Sequence, residues 1–138
     1  FLLKKYVFNK KETIKIKKPK VIIPADITAL QQLTKLDEAQ VWQAGNVKEY
    51  HSEISEIIRR YTENRFNFIA LELATEEIIS ELKSKVNNEQ LASITIILQR
   101  ADLAKFAKSK PEETENKESM QLAKYFVAQT KQKQINNG

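Results

Sequence analysis

Between positions 47 and 61 the apolar residues Val47, Tyr50, Ile54, Ile57, Ile58 and Tyr61 recur mostly three or four residues apart. That spacing gathers side chains on one face of an α-helix, whereas a half-buried strand needs strict alternation. The stretch predicts a helix over 46–66 with Lys48, Glu49, Glu53, Glu56, Arg59 and Arg60 on its other faces. A helix with one apolar stripe must be covered by other elements. Those elements are also expected to be helices. Only two glycines and three prolines occur in 138 residues, while Ala, Leu, Ile, Glu, Lys and Gln are abundant.

The rest of the chain divides accordingly. Pro24-Ala25-Asp26 opens a first helix predicted over 25–43, whose loose spacing of Ile27, Leu30, Leu33, Leu36 and Val41 permits a break near Leu36-Asp37. Gly45-Asn46 ends it. Residues 66–74 connect, and Thr75 reads as the N-cap of a third helix reaching Val86, with Ile78, Ile79 and Leu82 inward. Asn88 is expected to cap a fourth helix to about Lys108, with Leu91, Ile94, Ile97, Leu98, Ala101 and Phe106 on its core face. Pro111 separates a fifth helix over 112–131, carrying Met120, Ala123, Tyr125, Phe126 and Val127. Val21-Ile22-Ile23, between Pro19 and Pro24, is expected to pack onto the domain. The fold expected is all-α: a monomeric, compact bundle of about five helices over 21–131, preceded by a lysine-rich extended arm, 1–20, and followed by a disordered tail, 132–138.

Charge is distributed very unevenly. Lys4, Lys5, Lys10, Lys11, Lys15, Lys17, Lys18 and Lys20 face a single acid, Glu12, so residues 1–20 carry a formal +7 and the remaining 118 carry −2. A basic arm on a near-neutral domain points to a polyanion, either an anionic membrane surface or a nucleic acid. The arm has no arginine, and Phe1-Leu2-Leu3 followed by Lys4-Lys5 reads like the cytoplasmic end of a membrane helix, which favours the membrane. The alternative is a soluble nucleic-acid-binding helical domain using the same lysines. Against it, Arg59, Arg60 and Arg65 have Glu53, Glu56 and Glu63 at spacings that permit intrahelical pairs. No run in the chain itself approaches about 18 consecutive apolar residues.

The residue inventory offers little to catalysis. There is no cysteine, and the only histidine, His51, is expected to be an exposed or half-buried helix residue. Two glycines cannot build a phosphate cradle. Glu76-Glu77 and Glu112-Glu113 sit where acids compensate helix dipoles. We assign no catalytic, cofactor-binding or metal-ligating residue and expect no enzyme. Two clusters remain as candidate partner contacts. Trp42, beside Gly45 at a helix end, is either a core anchor or a partner-facing hot spot. Asp102 and Lys105, three apart, either form a local ion pair or meet a partner.

The segments Trp42-Gln-Ala-Gly-Asn-Val-Lys-Glu-Tyr50 through Phe66, Ala70-Leu-Glu-Leu-Ala-Thr-Glu-Glu-Ile78 and Ala101-Asp-Leu-Ala-Lys-Phe-Ala-Lys108 carry a resemblance over about residues 20–130. In this order they resemble the cytoplasmic helical domain of a family of single-pass membrane proteins found mainly in the Bacteroidetes. Those proteins are encoded near MoxR-type AAA+ ATPases and von Willebrand A proteins of the Bat (aerotolerance) type. The resemblance implies that residues 4–20 are a juxtamembrane spacer at the cytoplasmic face of the inner membrane. It also implies a protein partner, the ATPase or a von Willebrand A protein, and, the family having no established enzymatic activity, it carries over no catalytic residues. His51 departs from the family pattern, in which an aromatic residue commonly follows the tyrosine.

Overall fold

The computed structural model describes residues 23–107 and 110–133, which form five helices. These are α1 (Ala25–Glu38), α2 (Val47–Phe66), α3 (Thr75–Leu82), α4 (Asn88–Phe106) and α5 (Glu113–Thr130). The all-α bundle is as expected. The arm, 1–20, and residues 134–138 of the expected tail lie outside the described residues. Among those described, no helix is long and apolar enough to cross a membrane.

The stripe of α2 organises the bundle. Val47, Tyr50, Ile54, Ile57, Ile58 and Tyr61 are all buried. Helices α1, α4 and α5 pack directly on α2, and α3 packs on α4. Leu33, Ile78, Leu82, Ile94, Leu98 and Phe126 complete a single core with them. Polar contacts fix the directions of the helices. Tyr50 donates its hydroxyl to the Asn116 carbonyl at 3.0 Å, and Arg65 Nε donates to the Thr130 carbonyl at 2.6 Å. Helices α2 and α5 therefore run parallel, in a constant register. Gln90 Nε2 reaches the Gln129 carbonyl and Arg100 the Glu115 carbonyl, so α4 runs antiparallel to α5.

Several boundaries differ from the sequence expectation, each for a local reason. The first helix stops at Glu38, short of 43 and next to the break allowed near Leu36-Asp37, because Gln40 takes a positive φ of 55° and breaks the ladder. The chain then turns through 39–45 and closes on Gly45, whose φ of 100° strains any other residue. The cap of α3 is Ala74, not Thr75, and its N–H is held by the Glu77 carboxylate at 2.7 Å. α3 ends at Leu82 in a tight turn whose Val86 N–H returns to the Leu82 carbonyl. Asn87 rather than Asn88 caps α4: its side chain accepts from Gln90 N–H, and the Gln90 side chain accepts from Asn87 N–H. Ile23, expected to pack down with Val21 and Ile22, is 55% exposed, and those two neighbours lie outside the described residues.

The arginines of α2 also depart from expectation. Only Arg60 pairs within the helix, with Glu56 at 2.8 Å. Arg65 caps α5 through Thr130, and its guanidinium lies 4.7 Å from the Phe66 ring centroid. His51 is a further correction. It is 1% exposed, wedged between α2 and α5, with Nε2 donating to Asn116 Oδ1 at 2.7 Å and its ring edge-on to Tyr50. Its phase explains the burial, since it stands four residues before Ser55 and three before Ile54, both buried. Burial pushes its pKa below the ordinary 6.5; the Asn116 hydrogen bond and Glu115 oppose this, and Arg100 adds to it.

A depressed histidine pKa has a definite sign. Between the lowered value and 6.5 the unfolded chain binds the proton more readily, so stability falls as pH drops through that window. His51→Gln, which keeps a donor for Asn116, is expected to be less stable at pH 7.5. It should also lose less of its urea midpoint than the parent chain between pH 7.5 and 5.5. Equal losses would show that His51 is not the acid-sensitive group.

Candidate docking groove

Helix α2, the connection before α3 and the C-terminal half of α4 enclose a groove of about 740 Å³. Its floor is a line of hydrogen bonds. Arg59, half-buried, donates from Nε to Ser55 Oγ at 3.1 Å and from Nη1 to the carbonyls of Leu73 and Ala70 at 2.5 and 3.5 Å. Its Nη2 reaches Thr75 Oγ1 at 3.5 Å, and that hydroxyl donates to Asp102 Oδ2 at 2.5 Å. The chain Ser55–Arg59–Thr75–Asp102 therefore ties α2, α3 and α4 together and holds the 67–74 connection in place. Among the described residues no buried side-chain nitrogen or oxygen lacks a partner. The floor is a closed network of the kind that rigidifies a site.

The rim is different. Phe106 was expected on the core face of α4, yet it is 72% exposed. The buried face of α4 is set by Ile94, Ile97, Leu98, Ala101 and Ala104. Two residues beyond Ala104 the helix has turned about 200°, which carries Phe106 outward. It continues an outer apolar ridge with Ile96 and Leu103, which are 37% and 54% exposed. Leu71 joins Phe106 in lining the groove. Lys105 Nζ lies 5.0 Å from the Phe106 ring centroid.

Of the candidate contacts named from sequence, Asp102 and Lys105 both line this groove. They do not pair with each other: Asp102 accepts from Thr75, and Lys105 reaches over Phe106. Trp42 stands apart, in the turn between α1 and α2. It is half-buried against the core, its ring edge-on to Tyr50 with centroids 6.4 Å apart. Its role in the described structure is that of an anchor for the 39–45 turn. The eight arm lysines lie outside the described residues. Arg59, Leu71 and Phe106 escaped sequence reasoning. Only Phe106 left a signal, being out of phase with the positions three and four apart that define the α4 stripe.

A larger depression, about 1030 Å³, lies at the other end of α2, between the start of α1 and the ends of α2 and α5. It borders Ile23, the first described residue, and is lined by Ile27, Arg65, Lys131 and Lys133 among others. Among the described residues no three His, Asp or Glu side chains converge as a metal-ligand set.

Floor and rim should respond differently to substitution. Arg59→Met leaves the Leu73 carbonyl without its donor and is expected to cost about 2 kcal/mol in urea unfolding, with faster hydrogen exchange around 67–74. Lys105→Gln and Phe106→Ala, both at exposed positions, should stay within about 0.5 kcal/mol of the parent. A destabilisation by Phe106→Ala as large as that of Arg59→Met would make the ring structural. Compared with known proteins, the chain matches no family model, no curated protein and no solved structure.

Proposed function

We propose that this chain is a non-catalytic docking domain held at the cytoplasmic face of the bacterial inner membrane, part of a single-pass membrane protein, which receives a protein partner in the groove at Phe106. The observation that carries the reading is the contrast within that groove: a floor with every polar group satisfied, and a large aromatic ring left in water at its rim. Exposed aromatic rings of this kind serve as anchors in protein recognition. Catalysis finds no purchase on the same arrangement. Ser55 is engaged by Arg59, and the only histidine points to Asn116 on the opposite, α5 side of the helix.

The membrane part of the proposal rests on charge. The arm carries a formal +7 and joins the bundle at the end where Arg65, Lys131 and Lys133 add charge of the same sign. Each lysine near an anionic bilayer contributes up to about 1 kcal/mol, decaying over a Debye length of roughly 8 Å at physiological salt. Phe106 belongs to the other end of the bundle, since Lys105, its neighbour, stands beside Val47 and Lys48 at the start of α2. α2 has 20 residues, so the two ends are about 30 Å apart. A bilayer at the arm end leaves the groove free for a partner. The resemblance described above supplies the partner candidates, a MoxR-type AAA+ ATPase or a von Willebrand A protein.

Two measurements test this. The 138-residue chain should co-sediment with vesicles of 70:30 phosphatidylcholine:phosphatidylglycerol, but not with phosphatidylcholine alone. Binding should be lost when the eight arm lysines become glutamine. Equal binding to neutral vesicles, or tighter binding to duplex DNA than to anionic vesicles, would overturn the membrane reading; the DNA result would install nucleic-acid binding in its place. Phe106→Ala should abolish co-purification of the ATPase or the von Willebrand A protein from detergent-solubilised membranes; recovery of neither by the parent chain counts against both partners.

A further inference from the structure

Around Lys105 the groove continues into a second, shallower depression of about 390 Å³, lined by Gly45, Lys48, Glu49, Ala104 and Lys110. Lys105 is common to both. None of the ion pairs among the described residues involves Lys48, Arg59, Lys105 or Lys110. Only one acid of the same surface, among the described residues, is in an ion pair. Glu56 is paired with Arg60 and Asp102 takes the Thr75 hydroxyl. Glu49 and Glu76 sit in the first turns of α2 and α3, where the positive helix ends hold them. In the shallower depression three lysines, Lys48, Lys105 and Lys110, thus face one carboxylate, Glu49, beside the groove that Phe106 lines.

We infer that this surface takes an acidic segment of a protein partner, with carboxylates meeting Lys48, Lys105 and Lys110 and an apolar side chain laid against Phe106 and Leu71. The inference rests on the docking reading and adds the chemistry of what docks. Carboxylates on these rim lysines set partner choice and association rate more than ultimate affinity. The apolar contact supplies the area removed from water. Arg59, tied down by neutral acceptors in the floor, adds its charge to the field without having to move.

The test uses the whole chain, isotope-labelled, at about 20 mM ionic strength, where screening is weak. The probe is an acetylated, amidated hexapeptide of two leucines flanked on each side by two glutamates; its control has glutamines in place of the glutamates. The acidic peptide is expected to shift the amides of 48–49, 59–60, 74–76 and 101–107 and to bind these at least about fivefold tighter than the control. Lys105→Glu should weaken the acidic peptide about fivefold and leave the control unchanged, whereas Phe106→Ala should weaken both equally. Shifts confined to residues 1–20, or affinity unmoved by Lys105→Glu, overturn the inference. Equal binding of the two peptides, both weakened by Phe106→Ala, overturns the acidic partner while leaving the docking groove standing. Circular dichroism of both variants, altered only at exposed positions, confirms that the bundle is intact.

Discussion

Helix α2 is enclosed by α1, α4 and α5, and it carries polar groups into that enclosure. The hydroxyls of Tyr50 and Tyr61 and the His51 ring leave bulk water, and each would cost about 1–3 kcal/mol if it went unpaired. Their partners must come from the neighbouring helices, and this requirement fixes how those helices lie. Asn116 of α5 serves Tyr50 with its carbonyl and His51 with its side chain. About 21 Å along the same helix, Thr130 serves Tyr61 with its hydroxyl and Arg65 with its carbonyl. A slip of α5 by one residue would break all four bonds together. Apolar packing makes the bundle compact, but the polar groups choose its register. The burial that raises the Tyr50 pKa to about 12, aided by the charge of Asp37, is a consequence of the same enclosure.

The same logic extends to the groove. Arg59 is half-buried at the groove floor, and its donors are met by a carbonyl pair in the 67–74 connection and by Thr75. Of that eight-residue connection Phe68 and Leu73 pack against the core, while Ile69 and Leu71 stay exposed. Pinning it to Arg59 forms one wall of the groove. Thr75 then passes the connection on to Asp102, so that the floor spans three helices through four side chains. Such a floor needs no ordering when a partner arrives, and less conformational entropy opposes binding.

The sequence was most legible where one helix face is apolar and the other charged. α2 was delimited to within a residue because its stripe and its charged faces are cleanly separated. α1 was overextended: nothing in Ala39-Gln40 marks a left-handed residue, and glutamine is not a residue that favours one. The misplacement of Thr75 has a different cause. Threonine is a good cap in isolation, yet here its hydroxyl is claimed by Asp102, 27 residues away, and Glu77 holds the helix start without it. Long-range claims of this kind leave no local trace. His51 was misjudged for the same reason, since the Asn116 that makes its burial tolerable lies 65 residues on. Asp102 and Lys105 do not form the ion pair that their spacing favoured, because their separate engagements depend on Thr75 and Phe106. The arm's charge was legible from composition alone, because it depends on no contact.

Phe106 shows how an exposed apolar ridge arises from helix phase. Burying a phenylalanine ring stabilises a fold by about 1.5–3 kcal/mol, so leaving one in water forgoes a sizeable contribution. α4 cannot rotate to recover it. A turn that brought Phe106 inward would expel Ala101 and Ala104, whose small side chains let α4 lie close against α2, and would drag Asp102 away from Thr75. The polar floor therefore locks the phase of α4, and the locked phase keeps Phe106, Leu103 and Ile96 outside. Lys105 reaches over the ring, so a cation stands beside the exposed ridge. Any surface that covered this ridge would recover the burial the fold itself leaves unmade.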